Sequence, residues 1–396
     1  MTTVASTRAP ELVLPGSATA LLEEYAPPTD RFLATPHRTL LGHGTIAELP
    51  HRSGPLSPRV RALLDARRSA GDPDPVVMGA LPFDPGAAPA LAVPQSVRWA
   101  PPLREDPLIA LAVPAADTRW SVREVPEPEV YGAAVAAAVE RMKAGEFDKV
   151  VLARTLELTA RETPDLPAML RRLARRDPAG YTFAVPSAPG RTLIGASPEL
   201  LVSRCGSTLT ANPLAGSAPR SADLAEDVRR AAALLESAKD LHEHAVVVDA
   251  VRAALAPFCR TIDVPVRPTL VRTAAMWHLS TTVTGELADP GRTTALDLAS
   301  ALHPTPAVCG TPTGLARQVI AESEPFDRGA YTGMVGWQNA DGDGEWVVTI
   351  RCAEAEGRLL RLFAGAGVVA ESSPEAETAE TGAKFRTFLN AVGAAL

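Results

Sequence analysis

Apolar positions in this chain fall into two textures. Short, nearly unbroken aliphatic runs rich in β-branched residues, KVVLARTLEL, YTFAVP, RTLIGA, ELLVSRC, EWVVTIRCAE and RLLRLFAGAGVV, predict strands. Elsewhere the apolar positions recur at helical spacing. Val130, Ala134, Val135, Ala138 and Met142 predict a helix over 128–145, ended by Gly145, and proline-free periodicity predicts helical stretches over 224–257 and 374–394. Between 72 and 116 prolines recur (Pro82, Pro85, Pro89, Pro94, Pro101, Pro102, Pro107, Pro114) around short runs such as LIALAVP, which reads as loops and edge strands. No short repeat and no Ser/Gly-rich linker divides the chain. Strands and helices interleaved along its length predict one large α/β (α+β) unit, with 1–124 a less regular part of the same fold and 125–396 its core.

Composition narrows the class. With 46% hydrophobic and 21% charged residues, and no apolar run near the roughly eighteen residues of a membrane span, the chain reads as a soluble globular protein without a membrane partner. Its first thirty residues carry Glu11, Glu23 and Glu24 and lack a basic start with an apolar core, so the expectation is no secretory leader and a cytoplasmic location. Cys205, Cys259, Cys309 and Cys352 show neither CxxC pairing nor metal-ligand spacing and read as reduced, mostly buried thiols. A net charge of −7 without a basic stripe argues against nucleic acid, and Arg171, Arg172, Arg175 and Arg176 read as a solvated helix face. An anionic ligand therefore needs local positive groups or a metal.

Lysine is rare: positions 143, 149, 239 and 384 hold every lysine among 39 basic residues. A chain that uses arginine for general surface charge keeps lysine where a compact ammonium is needed, and Lys149, Lys239 and Lys384 all fall in dense polar motifs. In SAKDLHEHAVVVD, Asp240, Glu243 and His244 stand at i, i+3 and i+4, one polar helix face on an otherwise apolar helix. That face suits a cleft, or an exposed ion-pair surface with Arg229, Arg230 and Lys239. In GAGVVAESSPEAETAETGAKF, Ser373 and Pro374 form a helix start, and Glu377, Glu380 and Lys384 share one face of the helix that follows. Carboxylates from two helices, without a histidine or cysteine pattern, suit Mg²⁺. Lys149, opening KVVLAR, and Glu199, in ASPELLV, are positions for a general base and a general acid, and equally for a strand-edge gatekeeper and a helix-start glutamate. His278, His303, Thr305, Tyr331 and Arg351 sit on further strands and turns, Arg351 being a natural bidentate partner for a ligand carboxylate.

Taken together, KVVLAR, ASPELLV, PLAGSAPR, SAKDLHEH, MWHLSTTVTG, LHPTPAVCGTP, FDRGAYTGMVGW, VVTIRCAE and GAGVVAESSPEAETAETGAKF resemble, in order and from about residue 125 onward, the chorismate-utilising enzymes. FLATPHRTLLGHG resembles the opening of the siderophore-type isochorismate synthases among them. The resemblance implies the chorismate-binding fold, a single domain with a large β-sandwich core flanked by helices. It implies Mg²⁺-dependent isomerisation of chorismate: water adds at ring carbon 2 as the hydroxyl at carbon 4 departs. Lys149 matches the water-activating base and Glu199 the acid. Glu243 and Glu380 match metal ligands, supported by Asp240 and Glu377. Arg351, Lys384 and the backbone at Gly365, Ala366 and Gly367 match substrate anchors, with Gly216, His278 and Ala307 lining the pocket, and Lys239 supporting the acidic helix. Lys149 and the HPTPAVCGTP loop favour water over ammonia as nucleophile. Two alternatives stand beside this reading: a salicylate synthase, which goes on to eliminate pyruvate, and a non-catalytic chorismate-binding protein. The implied setting is a monomer whose product passes to an isochorismate-using enzyme of siderophore synthesis, with menaquinone synthesis behind it.

Overall fold

The computed structural model describes residues 16–111, 113 and 118–394; the first fifteen positions, on which part of the leader expectation rests, and Pro114 lie outside them. Two large antiparallel sheets of ten and nine strands, with a third of three, carry the architecture. Leu33, Ala153, Phe183 and Phe363 of the ten-stranded sheet pack against Met78, Val335, Trp337 and Val347 of the nine-stranded one, forming an apolar layer between them. The outer face of the ten-stranded sheet is covered by the helices Ser17–Glu24, Leu166–Arg176 and Pro374–Val392 through Leu22, Leu170 and Phe388. That of the nine-stranded sheet is covered by Leu56–Ser69, Ala238–Leu255 and Ala295–Leu302 through Leu64, Val251 and Leu298. Both sheets are thus buried on both faces, and each large apolar side chain so enclosed contributes about 1.5–3 kcal/mol. This is why the strand Lys149–Ala160 reads as a continuous run rather than as alternation: its first eight residues are all buried.

Residues before 124 supply strands to both sheets: Arg31–Ala34, Thr39–His43 and Ser96–Ala100 to one, Ala47–Glu48, Val76–Leu81 and Ala90–Val93 to the other. The prolines of that region bracket its strands, Pro82 following Leu81, Pro89 preceding Ala90, and Pro94 and Pro101 following Val93 and Ala100. No helix among the described residues is long and apolar enough to cross a membrane.

Two predicted elements are divided. The helical stretch over 224–257 is two helices, Leu224–Glu236 and Ala238–Leu255, because Ser237 leaves helical geometry and its Oγ accepts the Asp240 amide at 3.2 Å as an N-cap. The predicted strand EWVVTIRCAE is two strands in different sheets, Gly344–Val348 in the nine-stranded and Cys352–Glu356 in the ten-stranded, joined by a crossing at 349–351 where Arg351 adopts φ 51°. A second crossing lies beside it: the chain passes from Arg191–Ser197 in one sheet to Leu200–Cys205 in the other through Pro198 and Glu199. The crossings are bonded to each other, the Val348 amide donating to the Glu199 carbonyl and the Ala196 amide to the Arg351 carbonyl, both at 3.1 Å. Of the four thiols only Cys309 and Cys352 are buried; Cys205 is exposed and Cys259 half-buried, fewer buried than composition led us to expect.

Candidate active site

A cavity of about 100 Å³ opens where the paired crossings meet the two acid-bearing helices. Glu199 and Arg351 come from the crossings, Asp240 and Glu243 from Ala238–Leu255, Glu377, Glu380 and Lys384 from Pro374–Val392, and Gly365 and Gly367 from the strand Leu359–Val368. Gly216, His278 and Ala307 complete the predicted lining. The expected helix start is present, Ser373 Oγ accepting the Ala376 amide at 3.2 Å with Pro374 at the first position.

Two predicted members sit differently. Ala366 is absent from the cavity lining, although Ala364, Gly365 and Gly367 of the same strand are in it. Gly365 and Gly367 both line the cavity, and the Gly365 carbonyl accepts from Lys384 Nζ at 2.8 Å. Lys149 stands behind the cavity wall, buried, with Nζ 2.7 Å from Glu243 Oε1. The glycines make this packing possible. A Cβ on Gly367 would lie 2.7 Å from Glu243 Oε1 and 3.2 Å from Lys149 Cε, and one on Gly365 would lie 2.8 Å from the Tyr331 hydroxyl. Gly216, at φ 77°, lets its strand approach Asp240, where a Cβ would come within 3.1 Å of Asp240 Cβ.

Charge is arranged in pairs. Lys149 holds Glu243, Lys384 holds Glu380 at 2.6 Å, and Lys239 reaches from one helix to Glu377 on the other at 3.8 Å. Asp240 is held at 2.5 Å by the Ser237 hydroxyl that caps its helix. Burial works to raise Glu243, but the Lys149 charge and hydrogen bond, with Lys384 and Lys239 beyond, hold its carboxyl below the usual range. Asp240 and Glu377 go the other way: burial raises both, and neighbouring carboxylates, Glu243 and Glu380 for Asp240 and Glu380 for Glu377, add to it.

Glu199 is the exceptional acid. Fully enclosed, with a long 3.5 Å contact from the Leu214 amide, its carboxyl is pushed up to about 7 by burial against the opposing pull of that amide, Lys149, Lys384 and Arg351. The Arg351 guanidinium donates no hydrogen bond to protein among the described residues, leaving its fork to the cavity, and burial draws it down to about 10. His278 is buried with Nε2 unpartnered; burial, then Arg351 and Lys384, lowers it far enough to keep the ring neutral. Such a cavity offers a carboxyl able to give a proton near neutrality, a guanidinium free for a carboxylate, and paired carboxylates on two helices.

Among the cavity residues that escaped the sequence reading as site members are Thr332 and Leu214. Thr332, at φ 57°, shows only as a threonine before a glycine, and Leu214 only as a member of PLAGSAPR. Tyr331, noted on a turn, lines the cavity and stacks on Phe363 with centroids 4.9 Å apart. His303 and Thr305 stay outside the lining; His303 Nε2 lies 2.9 Å from the Thr332 carbonyl. Among the described residues no three His, Cys, Asp or Glu side chains cluster closely enough to hold a metal by themselves.

A family model for chorismate binding enzymes matches residues 110–393. Isochorismate synthase DhbC of Bacillus subtilis is 54% identical over 384 residues, covering 94% of this chain and 96% of its own. The vibriobactin-specific isochorismate synthase of Vibrio cholerae is 42% identical, covering 91% of each chain. The crystal structure of DhbC from Bacillus anthracis matches with a TM-score of 0.90 at 49% identity, over 96% of this chain and all of that one.

Proposed function

The chain belongs to the chorismate-binding enzymes, and from that premise we propose that it converts chorismate to isochorismate. Water adds at ring carbon 2, the hydroxyl at carbon 4 leaves as water, and the atoms balance as an isomerisation. The observation that carries this reading is Glu199, a buried carboxyl held near neutrality in the same cavity as an uncommitted arginine.

In this reading Arg351 and Lys384 bind substrate carboxylate and polar groups, the guanidinium through two parallel hydrogen bonds. Lys149 Nζ takes the proton of the attacking water, and Glu199 gives its proton to the departing hydroxyl. A proton then passes from Lys149 to Glu199 through solvent to restore the site. Neutral His278 supplies one unpartnered ring nitrogen to the substrate without adding charge.

Mg²⁺ is part of the proposal. The donors are hard carboxylate oxygens on two facing helices, and fewer than three gather at one point, which suits an ion that takes one or two protein carboxylates and fills its other positions with water and ligand. Glu243 and Glu380 would hold it, with Asp240 and Glu377 behind them. When bound it supplies positive charge opposite the ring carboxylate. We read the product as feeding an isochorismate-using enzyme of siderophore synthesis, a setting supported by the likeness to the vibriobactin-specific enzyme of Vibrio cholerae.

The test is product chromatography of the purified protein with chorismate and Mg²⁺, and with EDTA as control. Isochorismate alone, abolished by EDTA, is expected. Stoichiometric salicylate and pyruvate would reassign the chain to salicylate synthesis, and absence of turnover would leave a chorismate-binding protein.

A further inference from the structure

The FDRGAYTG segment contributes a side chain that the mechanism above does not use. Along one edge the strand Lys149–Ala160 pairs with Leu359–Val368 through Val150 to Thr159. Its other edge is covered in two pieces. Gly310 and Thr311 pair with Val150 and Lys149, the Cys309 carbonyl accepts the Val151 amide at 2.8 Å, and Trp120–Val125 pairs with Thr155 to Ala160. Between these pieces no strand among the described residues lies against the edge, and two charged side chains fill the gap. Arg328 Nη2 donates to the Val151 carbonyl at 2.8 Å, and Glu324 Oε1 accepts the Ala153 amide at 2.8 Å.

The two are joined to each other, Nε to Oε2 at 2.8 Å and Nη2 to Oε1 at 2.5 Å, and each side chain is only 3% exposed. Arg328 Nη1 donates to the Val308 carbonyl at 2.9 Å and to Thr332 Oγ1 at 3.1 Å, so all five guanidinium hydrogens are used. Val308 and Thr332 line the cavity; Val151 lines it too and stands two residues from Lys149.

We infer that Arg328 and Glu324 act as a substitute strand, a positioning pair that fixes the Lys149 end of the strand Lys149–Ala160 against the Val308 and Thr332 wall. The inference rests on the reading of Lys149 as the base. The pair touches no reacting atom; it sets the distance between the group that activates water and the wall that confines the ring. Lysine at 328 cannot replace it, having three donors on one nitrogen where the bonds need a planar fork.

The decisive variant replaces both charges by apolar groups, Arg328→Met with Glu324→Leu. Exchanging a buried ion pair for apolar residues commonly leaves stability unchanged or improved, so this protein tests position rather than folding. The expected result is a kcat reduced about 100-fold, the scale of an ångström-sized misplacement, with KM for chorismate within about threefold of wild type. Amide exchange at Ala153, slow in the wild type, accelerates. Arg328→Lys, which keeps the charge and loses the fork, gives the same split and decides the matter if the double variant does not fold. Folded variants with wild-type kcat, or with an Ala153 amide as protected as before, overturn the inference. A wild-type protein that turns over no chorismate counts against the functional reading instead, and the exchange at Ala153 still judges the clamp without any turnover.

Discussion

Replacing Gly367 by alanine adds one methyl group where the structure leaves no room for it. The new Cβ would stand 2.7 Å from Glu243 Oε1, against about 3.4 Å for ordinary contact, so the carboxylate must retreat by roughly 0.7 Å. Lys149 Cε, at 3.2 Å, must give by a few tenths of an ångström. Both neighbours are ends of flexible side chains, so the cost to folding is small, and alanine recovers about 0.5–1 kcal/mol of strand entropy that glycine forfeits. The cost to function is not small. A misplacement approaching 1 Å at a proton-transfer group is worth up to about 100-fold, or close to 2.7 kcal/mol of barrier. We therefore expect Gly367→Ala to unfold in urea within about 1 kcal/mol of wild type while kcat for isochorismate formation falls between about 10- and 100-fold. Paired urea titrations and continuous product assays read the two quantities separately. A variant that turns over within a factor of about two of wild type would show that the Lys149–Glu243 contact does not govern the reaction. A variant that loses stability and activity together would show that the glycine serves the fold.

Glu199→Gln should abolish most turnover and also change how stability depends on pH. The folded carboxyl holds its proton up to about 7 while the unfolded chain loses it near the ordinary carboxylate value, so wild-type stability falls through that window as pH rises, by about 1.4 kcal/mol per unit. Glutamine removes that loss: urea midpoints of variant and wild type should diverge from about pH 4.5 to 7 and run parallel above, and a constant difference would refute the shift. In the wild type, kcat/KM should decline above about pH 7 as Glu199 gives up the proton it is needed to donate. Lys149→Ala should lower kcat by about 10²- to 10⁴-fold, the range of a general base, with its far-ultraviolet circular dichroism unchanged; full turnover would remove the base assignment. Among the four thiols, Cys205 should react first with a soluble disulfide reagent and Cys309 and Cys352 last or not at all, because burial pushes the former up to about 11 and holds the latter well above its ordinary value. Mass mapping of the first adduct to Cys309 would contradict the structure.

Much of the fold was legible because both sheets are covered on both faces. Runs such as KVVLARTLEL carry the strand signal without alternation, and the prolines between 72 and 116 mark strand ends rather than the absence of strands. What could not be read was where a strand leaves its sheet. EWVVTIRCAE contains no glycine or proline, and the turn falls on Arg351, a residue type that seldom takes positive φ. Ser237 was a signal in plain view: serine with aspartate three positions on is a helix start, yet apolar periodicity on either side carried the eye across it. At the site, the scarcity of lysine pointed to three residues that the structure pairs with acids in the cavity or behind its wall. Lys384 meets Glu380 four positions earlier on its own helix, a pair that spacing contains, but the acids that Lys149 and Lys239 meet depend on tertiary packing, a relation that local spacing does not contain.

The paired crossings at Pro198–Glu199 and Thr349–Arg351 stitch the two large sheets together at the cavity itself. A ligand gripped there is gripped by both layers at once, and neither layer alone can offer it a complete site. Occupancy therefore opposes separation of the whole sandwich rather than the fraying of one part, adding about 2.7 kcal/mol when the free ligand stands at a hundred times its dissociation constant. Melting should stay a single transition whose midpoint climbs with ligand concentration, and competence to bind should arrive in refolding only once both sheets have met.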